Sequence, residues 1–451
     1  MMDAKYVHIV GIGGIGTSAV AKWWLDRGAH VSGSDLTQSP ITEEVMATGA
    51  NVKIGHFTEN LPREADLLVY SSAIPVTNPE RQAAKELGIT ELSYPEFLGK
   101  LAEEKKTIAI TGTNGKSTTT AMVAKILIDA GYDPTVILGT KSPDLDGTNL
   151  RIGKSDWLVV EACEHMANML QIIPNIGVIT NIEEDHLDFY RDLNHIKQSF
   201  KKWVDQMGVC GKVILNGNEK NSMSLNAENP AVFKIGERSI KGGSQTFEVA
   251  GVDVTLTIPG AFNAENAAAA LTAAHIAGVE DDSALASLKA FKGTWRRFEH
   301  VGAWKEAEVY SDYAHHPSAV QGSIAAFKEF FPNRQLIIVF QPHQHSRTHE
   351  LFDEFVESFD QADHLIVTEI YEVAGRTEEK FESSEDMVAA IKARDTIKSV
   401  DYAKDLESAQ TQLETLTRPS DIIVAMGAGT VDELARRIAG ETRVSRGDQV
   451  V

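Results

Sequence analysis

Ile108-Ala109-Ile110-Thr111-Gly112-Thr113-Asn114-Gly115-Lys116-Ser117-Thr118 is the stretch that decides how this chain is read. Its β-branched and apolar start predicts a strand over Thr107–Thr111, and the residues from Thr118 to Ala130 predict a helix. The glycine loop between them resembles a P-loop. The strict G-x-x-x-x-G-K-[ST] pattern fails at its first position, which is Ile110. The phosphate-binding half is intact. Backbone N–H groups of Gly112, Thr113, Asn114 and Gly115 can cradle phosphate, and Lys116 can reach the outer phosphates. Ser117 offers a hydroxyl to Mg²⁺, and Thr118 opens the helix. An ordinary turn could contain Gly-Lys-Ser, but the flanking strand and helix favour a nucleoside triphosphate site.

Two further apolar runs, Trp157–Val160 and Ile176–Ile179, lead into Glu161 and His186. If these strands run parallel to Thr107–Thr111, all three carboxyl ends open on one edge, where α/β sheets bind ligands. Glu161, His186 and Ser117 are then candidates to hold Mg²⁺ or Mn²⁺ beside the nucleotide.

A second glycine loop lies near the N-terminus. Gly11-Ile12-Gly13-Gly14-Ile15-Gly16 follows the strand Tyr6–Val10 and precedes a helix through Trp23 and Trp24. Its glycines allow close approach to a diphosphate, and the helix N-terminus supplies oriented N–H groups. Asp35 lies where a ribose-binding acid belongs. The loop alone does not separate a nicotinamide dinucleotide from a sugar nucleotide, since both present a diphosphate.

Short apolar runs alternate with amphipathic segments along most of the 451 residues, which implies parallel α/β construction and three domains. Further strands are expected at His30–Ser32, Leu67–Tyr70, Lys212–Leu215, Glu308–Tyr310, Leu336–Phe340, His364–Thr368 and Ile422–Met426. A β-rich patch is expected at Gly251–Ile258, a helix at Asn263–Ala277 and a loose tail at Ser445–Val451. The 64 acidic against 43 basic side chains give a formal charge of −21, which argues against a nucleic-acid partner. Two cysteines, Cys163 and Cys210, are too few for a disulfide framework. No apolar run reaches membrane-spanning length and no signal-peptide plan is present, so a cytoplasmic protein without membrane partners is expected.

Three segments resemble the Mur ligases, ATP-dependent amide-forming enzymes of peptidoglycan synthesis, over essentially the full chain. Thr111–Ser117 matches the family loop T-G-T-x-G-K-[ST], which accounts for the absent first glycine. Pro259-Gly260-Ala261-Phe262-Asn263-Ala264-Glu265-Asn266 resembles the adenine segment, and Gly293-Thr294-Trp295-Arg296-Arg297-Phe298 the domain hinge. Four more segments resemble the members that add L-alanine to UDP-N-acetylmuramate. They are Val10–Gly16 with Gly33-Ser34-Asp35, Ser71–Ile74 with Asn78-Pro79-Glu80, Asp312–Pro317, and Gln341-Pro342-His343 with Ser346-Arg347-Thr348. Four departures stand out: Asn114, Phe262, the pair Cys163 and His165, and Gln344 where the family carries Arg.

The resemblance implies a Rossmann-like UDP-binding domain (1–98), a central P-loop ATPase-type α/β domain (99–297) and a C-terminal Rossmann-like amino-acid domain (298–451). It implies UDP-N-acetylmuramate, L-alanine and ATP as small-molecule partners, with a monomer or homodimer as the assembly. Gly13, Gly14, Ile15, Gly16, Ser34, Asp35, His56 and Ser72 would contact the sugar nucleotide. Phe262 would stack on adenine, Asn263 and Asn266 would read it, Arg297 would reach a phosphate, and Asp312 would touch ribose or orient its segment. Lys116 and His186 would serve phosphoryl transfer, and Tyr313, His315 and Arg347 the incoming amino acid. His343 and His345 are expected to be structural. The alternatives are a Mur ligase that adds a tripeptide or a different amino acid, a silent binding protein derived from a ligase, and an NAD(P)-dependent oxidoreductase. The last leaves Lys116, Glu161 and His186 without work.

Overall fold

The computed structural model describes residues 2–187, 189–241, 243–372 and 379–440. The expected tail at Ser445–Val451 lies outside the described residues. Tyr6–Val10 is the centre of a five-stranded parallel sheet. Its order is Asn51–Ile54, His30–Asp35, Tyr6–Val10, Leu67–Tyr70, Thr90–Ser93. The chain leaves the central strand to one side and then to the other, so the first glycine loop stands at the reversal, where such sheets open a crevice. Trp23 and Trp24 of the helix Ile15–Asp26 pack edge-on to each other at 4.9 Å, and Trp23 packs on Phe97 at 5.4 Å.

Lys106–Thr111 lies inside a seven-stranded sheet. Its order is Ala231–Phe233, Lys212–Asn216, Ile176–Ile179, Lys106–Thr111, Trp157–Glu161, Thr135–Ser142, Thr148–Arg151. Ile176–Ile179 and Trp157–Glu161 both pair with it in parallel, so the three carboxyl ends share one edge. The helix Lys116–Asp129 is buried on most sides because the alanine-rich helix Ala261–Ala277 lies against it. The β-rich patch is one strand, Val252–Leu256, of an antiparallel meander with Arg238–Lys241 and Ser244–Val249.

A six-stranded sheet follows, in the order Glu299–Trp304, Ala307–Asp312, Ile422–Met426, Leu336–Phe340, His364–Thr368, Ser399–Ala403. Only its first strand is antiparallel. Among the described residues, no helix is long and apolar enough to cross a membrane.

The first two sheets share a core. Ser93 and Glu96 form a capping box that starts the helix Tyr94–Glu103. Phe97, Leu98, Leu101 and Ala102 of that helix join Trp23 and Trp24 on one side and Met169, Ile172 and Trp203 on the other. A Cβ on Gly99 would stand 2.1 Å from the Gln171 carbonyl oxygen, so this contact is backbone-close. The boundary expected between residues 98 and 99 therefore falls inside a helix of this shared core.

Candidate active site

The second glycine loop is braced from the neighbouring strand end. Thr113 N donates to Asn181 O at 3.0 Å, and Asn114 N to the Asn181 side-chain oxygen at 2.8 Å. The Asn114 amide donates to Glu183 at 3.1 Å, so its side chain holds the loop. The N–H groups of Lys116, Ser117 and Thr118, in the first helical turn, are the orphan donors of a helix start. Gly115 at φ +84° leaves a space that a Cβ could not share, since it would stand 2.2 Å from Asn266 Oδ1.

Lys116 Nζ donates to the carbonyls of Gly112 at 2.7 Å and Thr113 at 3.0 Å, and pairs with Glu164 Oε2 at 2.9 Å. Burial would lower this ammonium, but Glu164 together with Cys163 and Glu161 outweighs burial and raises it. Burial would likewise push the Glu164 carboxyl up, but Lys116 and then His186 hold it below the usual carboxylate range. Both groups are therefore charged at neutral pH.

Glu164, Asp185 and His186 bring one ligand atom each to within 4.8 Å of one another. Two carboxylates and an imidazole suit a divalent cation such as Mg²⁺ or Mn²⁺. Glu161, expected in this role, is not in that group. Its Oε2 accepts from Gly139 N at 3.1 Å, which ties it to the adjacent strand. The chain turns sharply after Trp157–Glu161, with Met166 and Ala167 both in the left-handed region, and this turn tucks Glu164 beneath Lys116. The sequence shows two acids three residues apart and no sign of which one faces inward. Ser117 is buried at the start of the helix. His165 stacks on His186 at 4.3 Å.

Across a cleft of about 700 Å³, the C-terminal sheet contributes Arg347, His316 and Gln344, opposite Asp185 and His186. Burial would raise the Asp185 carboxyl, but His186 and Arg347 outweigh it and hold it low. His315 Nδ1 donates to Tyr313 O at 2.8 Å. Burial and Arg347 push this imidazole down to about 3, so His315 is a neutral ring and adds no positive charge to the site. The guanidinium groups of Arg296 and Arg297 lie over the Tyr313 ring, at 5.1 and 5.6 Å from its centre. Arg296 is buried and donates to Gly427 O at 2.6 Å and Gly429 O at 2.8 Å, fastening the hinge to the last strand. Asp312 accepts from Phe298 N at 2.9 Å and Ala314 N at 2.8 Å. Its two oxygens orient the hinge and the Asp312–Pro317 segment, which favours that role over ribose contact. His343 stacks on Tyr371 at 5.4 Å, a structural contact.

Asn263 and Asn266, expected to read adenine, are buried. Asn263 donates to Pro259 O at 2.6 Å, Asn266 donates to Asn263 at 3.2 Å, and Asn266 sits under Gly115. They fasten the loop to its supporting helix. Phe262, 39% exposed, is the residue of this segment with an open ring face.

In the N-terminal sheet, Gly11 N and Ile12 N donate to Ser34 O at 2.8 and 3.0 Å, and Gly13 N donates to Asp35 at 2.8 Å. Asp35 thus pins the loop. Gly14 precedes the helix, and Ile15 and Gly16 open it with unengaged N–H groups. The Ser34 side chain, expected among the groups that contact the sugar nucleotide, is fully buried and bonded to Glu80 and His56. Ser72 accepts from Asn168 at 3.4 Å, linking the crevice to the segment that carries Glu164.

The glycine loop before Lys116 on one sheet, a second glycine loop on the N-terminal sheet and an arginine from a third sheet's domain lie in a chain that belongs to the Mur ligase family. Residues 6–106 match the family's "Mur ligase family, catalytic domain", residues 110–274 its middle domain and residues 296–429 its "glutamate ligase domain". The chain is 37% identical to the UDP-N-acetylmuramate–L-alanine ligase of Caldanaerobacter subterraneus subsp. tengcongensis, covering 97% of this chain and 98% of that protein. It is 38% identical to the protein of the same name from Clostridium novyi, covering 95% of each. The solved UDP-N-acetylmuramate–alanine ligase of Thermotoga maritima superposes with a TM-score of 0.82 at 27% identity, covering 96% of this chain and 98% of that one.

Proposed function

We propose that this chain joins the amino group of L-alanine to the lactyl carboxylate of UDP-N-acetylmuramate, with ATP giving ADP and phosphate, in peptidoglycan-precursor synthesis. The observation that carries the reading is full-length similarity to ligases of that name, combined with Lys116 beside an inward-facing acidic and imidazole group. On this reading residues 1–98 hold the sugar nucleotide, 99–297 hold ATP and 298–451 bring the amino acid.

A lactyl carboxylate oxygen takes the γ-phosphoryl group and ADP leaves. The alanine amine then attacks the acyl carbon, the amine loses a proton, and phosphate leaves with the former acyl C–O bond. Phosphoryl transfer depends on positioning and charge neutralisation more than on covalent help. Lys116 leaves its pairing with Glu164 to neutralise the β- and γ-phosphates, while the first-turn N–H groups of the same helix hold them. Glu164, Asp185 and His186, with the Ser117 hydroxyl, would hold Mg²⁺, which supplies charge stabilisation at the transferring phosphoryl group. Phe262 offers its open face to adenine, and Arg297 reaches a phosphate. Arg347 meets the amino acid's carboxylate, and Tyr313 and the neutral His315 shape its pocket. Gly13, Gly14, Ile15, Gly16, Asp35, His56 and Ser72 form the sugar-nucleotide crevice.

The test is phosphate release with UDP-N-acetylmuramate, ATP and a panel of acceptors: L-alanine, glycine, L-serine and L-alanyl-γ-D-glutamyl-diaminopimelate. Turnover with L-alanine at the highest kcat/KM is expected. Preference for the tripeptide would replace this reading with the murein peptide ligase, and no acceptor-dependent release would leave a binding protein.

A further inference from the structure

Beneath the N-terminal glycine loop lies a carboxylate that the proposed reaction does not use. Glu80 stands in the first turn of the helix Pro79–Leu87 and is completely enclosed. Asn78 caps that helix, its side-chain oxygen accepting from Glu80 N at 2.9 Å and Arg81 N at 3.2 Å, so the backbone under Glu80 is fixed. Four groups converge on or around the carboxylate. His8 Nε2 lies 2.6 Å from Oε2, and Ser34 Oγ lies 2.8 and 2.7 Å from the two oxygens. His56 Nδ1 lies 3.1 Å from Oε1 and 2.8 Å from Ser34 Oγ. His8 Nδ1 meets Ser32 Oγ at 2.8 Å.

Burial would push the Glu80 carboxyl up, but hydrogen bonds from His8 and Ser34, with the electrostatic pull of His8 and His56, outweigh it and hold it below the usual carboxylate range. An ionised carboxylate only accepts, so its neighbours must donate. With both rings neutral the protons have one consistent arrangement. His8 donates from Nε2, and its Nδ1 accepts from the Ser32 hydroxyl. The Ser34 hydroxyl donates to Glu80, and His56 donates from Nδ1 to Ser34 Oγ and Glu80 Oε1. His56 Nε2 is left with a lone pair. That nitrogen is buried and has no hydrogen-bond partner among the described residues. A buried acceptor without a donor is costly, which makes it a place for a ligand donor. The backbone carbonyl of the same Ser34 holds Gly11 and Ile12, so one carboxylate steadies both the ring and the loop.

We propose that Glu80 is a positioning residue of the sugar-nucleotide site. It fixes His56 so that Nε2 accepts a hydrogen bond from the uridine half of the ligand, a ribose hydroxyl or the imide N–H. The inference rests on the sugar-nucleotide reading of this crevice.

Calorimetric titration with UDP tests it. E80A and H56A should each weaken UDP binding about tenfold, and the double variant should lose little more than either alone. E80Q, which keeps the volume and one acceptor, should fall between E80A and the native protein. Native affinity for an ATP analogue in E80A would show that the protein is folded. Replacing UDP by its 2′-deoxy, 3′-deoxy or N3-methyl analogue identifies the donor. One of these should lose about tenfold in the native protein and little in H56A. Nitrogen-15 NMR of the histidine rings reads the tautomer without any variant and should find the His56 proton on Nδ1. A proton on Nε2, an imidazolium, unchanged UDP binding in E80A, or equal losses of all three analogues in native protein and H56A would each overturn the proposal. Failure of the native protein to bind UDP would instead overturn the sugar-nucleotide reading itself.

Discussion

The two glycine loops follow the same plan and do different work. Each leaves a buried strand of a parallel sheet and enters a helix, and each is pinned by groups at the end of an adjacent strand or just past it: Ser34 and Asp35 for the first, Asn181 for the second. They differ in where the charge sits. The second loop carries Lys116, paired with Glu164 beside Asp185 and His186. The first rests on the enclosed Glu80, whose neighbours are imidazoles and hydroxyls. A phosphoryl group that reacts needs mobile positive charge to neutralise it, whereas a diphosphate that serves as a handle needs mainly backbone N–H groups and shape. The comparison teaches that backbone geometry makes a phosphate site and the side chain at its edge decides whether chemistry follows.

The largest effect should come from removing that side chain. Lys116→Ala is expected to lower kcat for UDP-N-acetylmuramate-dependent ADP release about a thousandfold, with UDP affinity unchanged. Retained turnover would erase the distinction between the loops. The same addition to each loop should then give unequal results. In Gly115→Ala the new methyl meets Asn266 at 2.2 Å with φ at +84°, and ATP-analogue affinity should fall about a hundredfold. In Gly13→Ala it meets the Thr42 methyl at 2.7 Å and Asp35 Oδ2 at 2.9 Å, side-chain atoms, but at a backbone conformation outside the positive-φ region that strains Gly115→Ala. UDP affinity should there fall only about threefold, as titration calorimetry would read. Equal losses would mean that the first loop is as rigidly built as the second.

The smallest effect concerns the neutral histidine facing the second loop. Its folded-state value of about 3 lies below the ordinary 6.5. The unfolded chain therefore binds the extra proton, and stability is lost as pH falls from about 6.5 towards 3. His315→Asn should remove this slope, at most about 1.4 kcal/mol per pH unit, in urea unfolding at about pH 7, 6 and 5. Identical slopes would show that the ring is not held neutral.

Much of the fold was legible because buried parallel strands read as unbroken apolar runs. Tyr6–Val10, Leu67–Tyr70, Ile176–Ile179, Leu336–Phe340, His364–Thr368 and Ile422–Met426 have the bounds their apolar residues predict. Asn51–Ile54, Thr148–Arg151 and Ser399–Ala403 were not legible. They lie at sheet edges, keep a side in water and carry no apolar run. The site divides in the same way. The loop residues Gly112–Ser117 and His186 were readable from spacing, because a phosphate cradle needs contiguous backbone. Glu164 was not, nor were the inward turns of Asn263, Asn266 and Ser34, because the sequence does not say which polar group is covered.

The sequence by itself determined the two phosphate-type loops, the parallel sheets that present them and the family, because these depend on contiguous residues and on period. Tertiary structure alone decided that Glu164 and not Glu161 meets Lys116. It also decided that Arg347 crosses a cleft to Asp185, and that Glu80 gathers His8, Ser34 and His56. Each of these joins side chains far apart in the chain. Their charges and protons are set by burial and by neighbours that only packing supplies.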